Sequence, residues 1–186
     1  MTNGGRTRRI APALAAGAMA LLLGAAAVYN IPIPMERTIS AVEIRLDDPD
    51  YAAPRQIHLS GTYHVNLFSP DAFYGHIAVS GYAVTEKVMA PVLCTDRGAN
   101  LTYYFEEIGT LEKTVEFGYL FADRGMRNLC ICMVRPAGNG GTWDAADGRC
   151  IVSAPSRGHA VALLRAQGVP GMDAAAQRAE KGEVFV

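Results

Sequence analysis

Apolar and polar residues alternate most clearly between residues 56 and 67. Five apolar side chains occupy odd positions and Gly61 keeps the register, whereas polar side chains fill the even positions. A period of two residues is typical of a strand with one buried face. The pattern resumes at 74–85 after the turn-forming segment 68–72, so we predict an antiparallel hairpin.

Further short runs of strand character are bounded by Gly, Pro, Asp and Asn. They span residues 38–46, 88–95, 101–106, 114–121, 127–134 and 149–153. Short strands without intervening helices favour an all-β domain, an antiparallel sandwich or a barrel-like sheet of about seven or eight strands. Beyond residue 155 the pattern changes. Ser156 is suited to cap a helix that ends at Gln167, with Gly168 in the left-handed position after it.

The N-terminal residues show no such period. Arg6, Arg8 and Arg9 precede an uncharged run, rich in alanine and leucine, over residues 10–29. Twenty helical residues reach about 30 Å, the thickness of a bilayer hydrocarbon core. Basic residues stay on the cytoplasmic side. We therefore predict a transmembrane or signal helix with its N-terminus in the cytoplasm and the following domain outside.

Two fates of this helix are open. Small residues fit signal-peptide cleavage near Ala27, whereas the length of the run and the proline-bearing segment after it favour retention as a single-pass anchor. The predicted organisation has five parts in chain order: a basic region (1–9), the membrane segment (10–29), a stiff stalk (30–37), an extracytoplasmic β domain (38–154) and a C-terminal helical tail (155–186), loosely attached at its end.

The net charge of the predicted exported part bears on whether it binds nucleic acid. Without the three N-terminal arginines, 14 of the 17 basic residues remain against 18 acidic residues, a formal charge of −4. Binding to a phosphate backbone needs clustered Lys and Arg, and no basic stripe is present. We therefore expect no nucleic-acid partner.

Four cysteines, all in the predicted exported part, are the first candidates for chemistry: Cys94, Cys130, Cys132 and Cys150. An even number outside the cytoplasm is typical of disulfides. A bridge within the Cys130–Cys132 pair would be strained, because Cα atoms two apart on a strand are about 6.5–7 Å apart. Cross-strand bonds from this pair to Cys94 and Cys150 are the better assignment. Their apolar neighbours equally favour buried free thiols, and a Cys-x-Cys pair is a poor zinc motif.

Histidines on the even face give the second candidate site. If the hairpin centres near residue 71, Asn66 opposes His76 and His64 lies diagonally from His76. Two imidazoles on that diagonal could bind a metal. His58, Ser60, Asp71 and Asp96 would then supply further ligands or a base. The alternative is a solvated strand face, and a one-residue change of register abolishes the site.

Other catalytic signatures are absent from the sequence, including the Gly-x-Ser-x-Gly elbow, His-Glu-x-x-His, the P-loop and the dinucleotide fingerprint. No cofactor is expected. The sequence favours a non-catalytic, membrane-anchored or secreted module. It would contact the membrane through residues 10–29 and an envelope protein or surface component through its β domain. The alternative is a hydrolase or metal-dependent enzyme that uses the face of His64 and His76.

Overall fold

The computed structural model describes residues 14–25, 30–66, 69–94, 98–105, 113–137, 140–143 and 148–172. Helix α1 covers residues 14–25. The strands are β1 (Asn30–Arg45), β2 (Ala52–Asn66), β3 (Asp71–Val79), β4 (Val88–Met89), β5 (Val92–Cys94), β6 (Ala99–Phe105), β7 (Lys113–Ala122), β8 (Leu129–Met133), β9 (Arg135–Ala137), β10 (Gly140–Thr142) and β11 (Arg149–Val152). A 3-10 turn covers Ala83–Glu86, and helix α2 covers Arg157–Ala166.

Nine strands form one antiparallel sheet in the order β4-β6-β7-β8-β11-β1-β2-β3-β5, and the sheet curls into a half-barrel. Strands β9 and β10 form a separate small hairpin. The predicted mainly antiparallel β architecture and the β2–β3 hairpin are confirmed.

The concave face of the sheet carries the main core. Ile57, Leu59 and Tyr63 on the odd positions of β2 are almost fully buried there, as the alternation predicted. Residues from β3, β6, β7, β8 and β11 complete this cluster, among them Phe73, Ile77, Leu101, Tyr103, Leu120, Ile131 and Ile151.

A second core lies on the convex face, beneath α2. Ala160 and Leu164 of the helix pack there with side chains of β1, β7, β8 and β11, namely Val42, Ile44, Phe121, Cys130, Cys132, Cys150 and Val152. Strand β8 is therefore covered on both faces, which explains its unbroken apolar sequence. The predicted helix is confirmed, including its Ser156 cap, which accepts the N–H of His159, and Gly168 at φ +66°.

Strand β1 differs most from expectation. Residues 30–37, predicted as a stalk, are the first half of a strand that pairs with β2 from Asn30 opposite Asn66 to Ile44 opposite Ala52. Two predicted strands are also shorter or divided. The segment 74–85 leaves the sheet after Val79, and a break at Pro91 divides 88–95 into β4 and β5, since proline cannot donate to a ladder.

All residues of α1 are exposed. Among the described residues, no helix combines the length and the apolar character that crossing a membrane requires. Residues 10–13 and 26–29 of the predicted membrane segment lie outside the described ranges, as do residues 173–186 of the predicted tail.

Candidate functional site

The register of the β2–β3 hairpin separates the two histidines of the predicted site. Ser60, and not Asn66, lies opposite His76, and His64 lies opposite Ala72. His64 and His76 are thus four positions apart along the sheet, about 13 Å at strand rise. The assumed register was wrong because the partner of His76 lies six positions earlier on β2 than Asn66.

Each histidine has its own neighbours. The ring of His64 packs edge-on against Tyr74, with centroids 4.9 Å apart, and His76 packs in the same way against Tyr103 at 6.4 Å. His58 lies 3.0 Å from the carboxylate of Glu36. Across the described ranges, no group of three or more His, Cys, Asp or Glu side chains is arranged to hold a metal ion. Asp96 lies outside these ranges.

The cysteines divide into two groups. Cys130, Cys132 and Cys150 are fully buried in the convex core, and the thiols of Cys132 and Cys150 are 3.8 Å apart. Cys94 lies at the other end of the sheet on β5 and packs against the concave core. The predicted bond from the Cys130–Cys132 pair to Cys94 is therefore wrong, because four strands and the thickness of the sheet separate them.

Burial disfavours ionisation of three of these thiols, Cys94, Cys130 and Cys132. It raises the pKa of Cys94 to about 11, with a smaller contribution from the Asp71 carboxylate. It also raises the pKa of Cys130, and contact with the Cys150 thiol together with burial raises that of Cys132. Only the thiolate is a good nucleophile or metal ligand, so Cys94, Cys130 and Cys132 are poorly suited to catalysis.

Residues 30–41 of β1 form an open edge of the sheet. Strand β11 pairs only with Val42–Arg45, and within the described ranges no other strand pairs with residues 30–41 on that side. The N–H of Leu46 points to β11, where it donates to Gly148 at 3.0 Å. Backbone groups of alternate residues point the same way, so even-numbered residues of β1 face the open edge.

This parity explains how two prolines fit inside a strand. Pro32 and Pro34 are even-numbered, so the N–H that proline lacks would have faced the open edge and not β2. Neither proline removes a ladder hydrogen bond. The next outward-facing donors are the N–H groups of Glu36, Thr38 and Ser40.

A groove of about 550 Å³ lies beside this edge. Its walls are β1, the end of β2 and the loop between β7 and β8, and the lining residues are Ile33, Pro34, Met35, Glu36, Arg37, Tyr63, Val65, Arg124, Gly125 and Arg127. Ile31 and Ile33, on the concave face of this segment, are 45% and 44% exposed. The groove thus joins unpaired backbone, exposed apolar side chains and three arginines.

Arg37 holds the loop in place. Its Nη2 donates to the carbonyl oxygens of Gly125 at 2.6 Å and Met126 at 2.9 Å. Its Nε is buried and has no hydrogen-bond partner among the described residues. Because the guanidinium lies at the wall of the groove, a ligand there would enter a positive field.

Asp71 holds the same loop from the start of β3. Burial by itself would raise its pKa, but the Tyr63 hydroxyl at 2.6 Å and the Asn66 N–H at 2.8 Å donate to the carboxylate. Arg124 donates its Nε at 3.0 Å, and together these donors hold the pKa of Asp71 below its usual value. Burial, followed by the bond to Asp71, raises the pKa of Tyr63.

Sequence reasoning missed this groove. The local signal was the Ile-Pro-Ile-Pro segment before Met35, which predicted an extended stalk. Prolines at alternate positions are also typical of an edge strand, because both prolines then place the side that lacks an N–H toward solvent. Nothing local indicated that Arg124 and Arg127 would lie beside it.

Comparison with known proteins adds no relative. No family model, no curated protein and no solved structure matches this chain. The site is therefore interpreted from its geometry alone.

Proposed function

We propose that this chain is a non-catalytic binding domain that takes up an extended acidic peptide segment in the groove beside β1. The observation that carries the proposal is an unpaired strand edge at residues 30–41 next to three arginines. Open edges of this kind bind peptides by strand addition, in which backbone hydrogen bonds supply affinity and alternate side chains supply specificity.

The backbone of β1 offers a short ladder. Glu36, Thr38 and Ser40 present both N–H and C=O to the open side, whereas Pro32 and Pro34 present only C=O. An added strand would therefore pair best with residues 36–40. The prolines restrict the length of any partner strand, which is how natural edge strands avoid continuous sheet growth.

The side chains indicate the chemistry of the partner. Alternate residues of an added strand would approach Ile33 and Met35, which are apolar and incompletely buried. The charged lining is Arg37, Arg124 and Arg127 against Glu36, and Arg124 is already paired with Asp71, so Arg37 and Arg127 leave the excess of positive charge. This imbalance favours a segment that alternates apolar and acidic residues, since charge complementarity selects partners and speeds their encounter. A second copy of β1 would bring its own Arg37 toward these arginines, which disfavours self-pairing.

We further propose that residues 10–29 deliver the domain to the outer face of a membrane, either as a retained anchor or as a signal peptide cleaved near Ala27. The absence of charge in this run and the three preceding arginines support the proposal. The leucines of α1 also support it, because Leu14 and Leu21 are exposed and large apolar side chains favour a lipid environment. The partner would then be an envelope protein or surface component.

Fluorescence anisotropy with the full-length chain in detergent micelles tests the binding proposal. The probe is a labelled heptapeptide, Thr-Glu-Val-Glu-Val-Glu-Thr, and the comparison peptide has Lys in place of each Glu. We expect saturable binding of the acidic probe, weakened at high salt by screening. Equal binding of the lysine peptide would contradict the charge argument.

Thr38→Pro is the decisive variant. It removes one outward N–H but no bond to β2, as the prolines at positions 32 and 34 already do, so the fold should persist. Thr38→Val is the matched control, because both variants lose the contact of the Thr38 hydroxyl with His58 but only proline loses the N–H. We expect Thr38→Pro to weaken binding about tenfold, the effect of one or two net hydrogen bonds. Equal affinities for the two variants would remove strand addition as the mode of binding.

A further inference from the structure

Cys132 and Cys150 form a matched pair on neighbouring central strands. They lie directly opposite each other in the β8–β11 ladder, and their thiols are 3.8 Å apart. Both side chains are fully buried beneath α2. Cys130, two residues earlier on the same face of β8, is opposite Val152 and has no cysteine facing it.

The hydrogen-bond pattern of the ladder makes this pair suitable for a bridge. The N–H of Ser153 donates to Leu129, one register position beyond the pair of Cys130 and Val152. Hydrogen-bonded and non-hydrogen-bonded pairs alternate along an antiparallel ladder, so Cys132 and Cys150 form a non-hydrogen-bonded pair. Cα atoms of such pairs are about 4.5 Å apart, within the range that a disulfide spans. Rotation about the side chains suffices to bring the two sulfur atoms together.

We propose that Cys132 and Cys150 are joined by a disulfide during folding, and that Cys94 and Cys130 stay as thiols. The oxidant is a low-molecular-weight disulfide of the glutathione class. One cysteine thiolate attacks it, its S–S bond breaks and one glutathione thiol leaves. The second cysteine then attacks the mixed disulfide and releases the other thiol. The two cysteines lose two protons and two electrons, and the oxidant becomes two thiols.

The timing follows from burial. In the folded chain both sulfur atoms are inaccessible, so exchange must take place before α2 packs over β8 and β11. Once the helix is in place, the bond is shielded from reductants. The bridge closes the loop 133–149 and restricts the unfolded chain, which stabilises the folded state. This inference is independent of the peptide groove, since the pair lies on the other face of the sheet.

Oxidative refolding of the full-length chain tests it. The chain is reduced and unfolded in guanidinium, then refolded with oxidised and reduced glutathione. It is next alkylated in denaturant with N-ethylmaleimide and weighed by mass spectrometry. We expect two alkylated cysteines, no bound glutathione, and a mass lower by two hydrogen atoms before alkylation. Four alkylated cysteines, or a glutathione adduct at either Cys132 or Cys150, would overturn the proposal.

Single variants identify the partners. Cys130→Ala and Cys94→Ala should each retain the bridge and leave one thiol to alkylate. As in the wild type, their urea midpoints should be lower when unfolding takes place in dithiothreitol, which reaches the bond once the chain unfolds. Cys132→Ala should leave all three remaining cysteines alkylated. Loss of the bridge in Cys130→Ala would show that Cys130, and not Cys132, forms the disulfide, and would overturn the proposal. Because Cys94→Ala and Cys130→Ala do not alter the proposed pair, the test does not depend on the folding of Cys132→Ala.

Discussion

The carboxylate of Asp71 accepts hydrogen bonds from three residues in different parts of the chain. The Tyr63 hydroxyl, the Asn66 N–H and the Arg124 Nε all bond to its carboxylate, which is largely buried. Loss of a hydrogen bond to a buried charged group, without replacement, lowers the free energy of unfolding by about 1.5–3 kcal/mol. Asp71 thereby joins the start of β3 to the loop that forms one wall of the groove.

Asp71→Asn should lower the free energy of unfolding by about 2 kcal/mol at neutral pH, because an amide accepts weaker bonds than a carboxylate. The folded-state pKa of Asp71 is below its usual value, so its stabilisation is present above about pH 4, the unfolded value. It is lost as the pH falls through the folded-state pKa. Urea unfolding should therefore show a difference between wild type and variant that narrows below pH 4.

A matched control is Asp47→Asn, since Asp47 pairs with Arg45 at the surface and such pairs contribute little. Its urea midpoint at pH 7 should stay near that of the wild type. A difference between wild type and Asp71→Asn that is constant from pH 7 to pH 3 would show that the charge of Asp71 does not act as described.

At the scale of elements, two glycines permit the curl of the sheet. Gly61 on β2 and Gly75 on β3 lie opposite each other. A Cβ at position 75 would lie 2.2 Å from the Ser60 carbonyl oxygen and 2.6 Å from the Gly61 Cα. Both clashes are with backbone, so side-chain movement cannot relieve them. Glycine within a strand often marks such close approach or a bend in a barrel wall.

Gly75→Ala should therefore destabilise the protein by about 1–3 kcal/mol, the range for overpacking. The same substitution in helix α2 should act in the opposite direction. Gly158 is exposed and a Cβ there meets no atom within 4 Å, so Gly158→Ala should stabilise by up to about 1 kcal/mol through helix propensity. Urea midpoints of the two variants check both signs. If Gly75→Ala unfolded at the same urea midpoint as Gly158→Ala, the backbones of β2 and β3 could move apart at position 75 without a loss of stability.

For the whole molecule, the two cores explain how a curled sheet with one short helix becomes stable. The concave core fills the half-barrel and the convex core lies between α2 and the central strands. Strands β8 and β11 contribute to both clusters, whereas the first half of β1 contributes little beyond its concave side chains. The open segment of β1 thus continues directly from residues 42–45, which pair with β11 in the middle of the sheet, an arrangement that suits a preformed binding groove.

The proposed location is tested by labelling Ser69→Cys in intact cells with a membrane-impermeant maleimide. Ser69 is exposed between β2 and β3, and the buried thiols of the convex core should stay unreactive, so only Cys94 needs replacement by alanine. We expect labelling of position 69 without permeabilisation. Thr2→Cys is the control: it should react only after permeabilisation if the anchor is retained, and be absent from the mature chain if the signal is cleaved. Labelling of position 69 only in broken cells would refute export.

Much of the fold was predictable, because hydrophobic period is a local property. Ile57, Leu59 and Tyr63 are buried as predicted, and the Ser156 and Gly168 signals bound α2. The histidine site was not predictable. It depended on the register of the hairpin. In the observed register His76 lies opposite Ser60 and not Asn66, which moves it away from the diagonal of His64.

Local patterns in the sequence were enough to predict most of the strands, the apolar face of β2, and where the C-terminal helix begins and ends, since neighbouring residues carry that information. Long-range packing is needed to place the Ile-Pro-Ile-Pro segment at an open edge, to bring Arg37 to a loop 88 residues away, and to set Cys150 opposite Cys132. The physical reason is that these contacts depend on strand order and register. Those are settled when the two cores pack, not by the local preferences of any one segment.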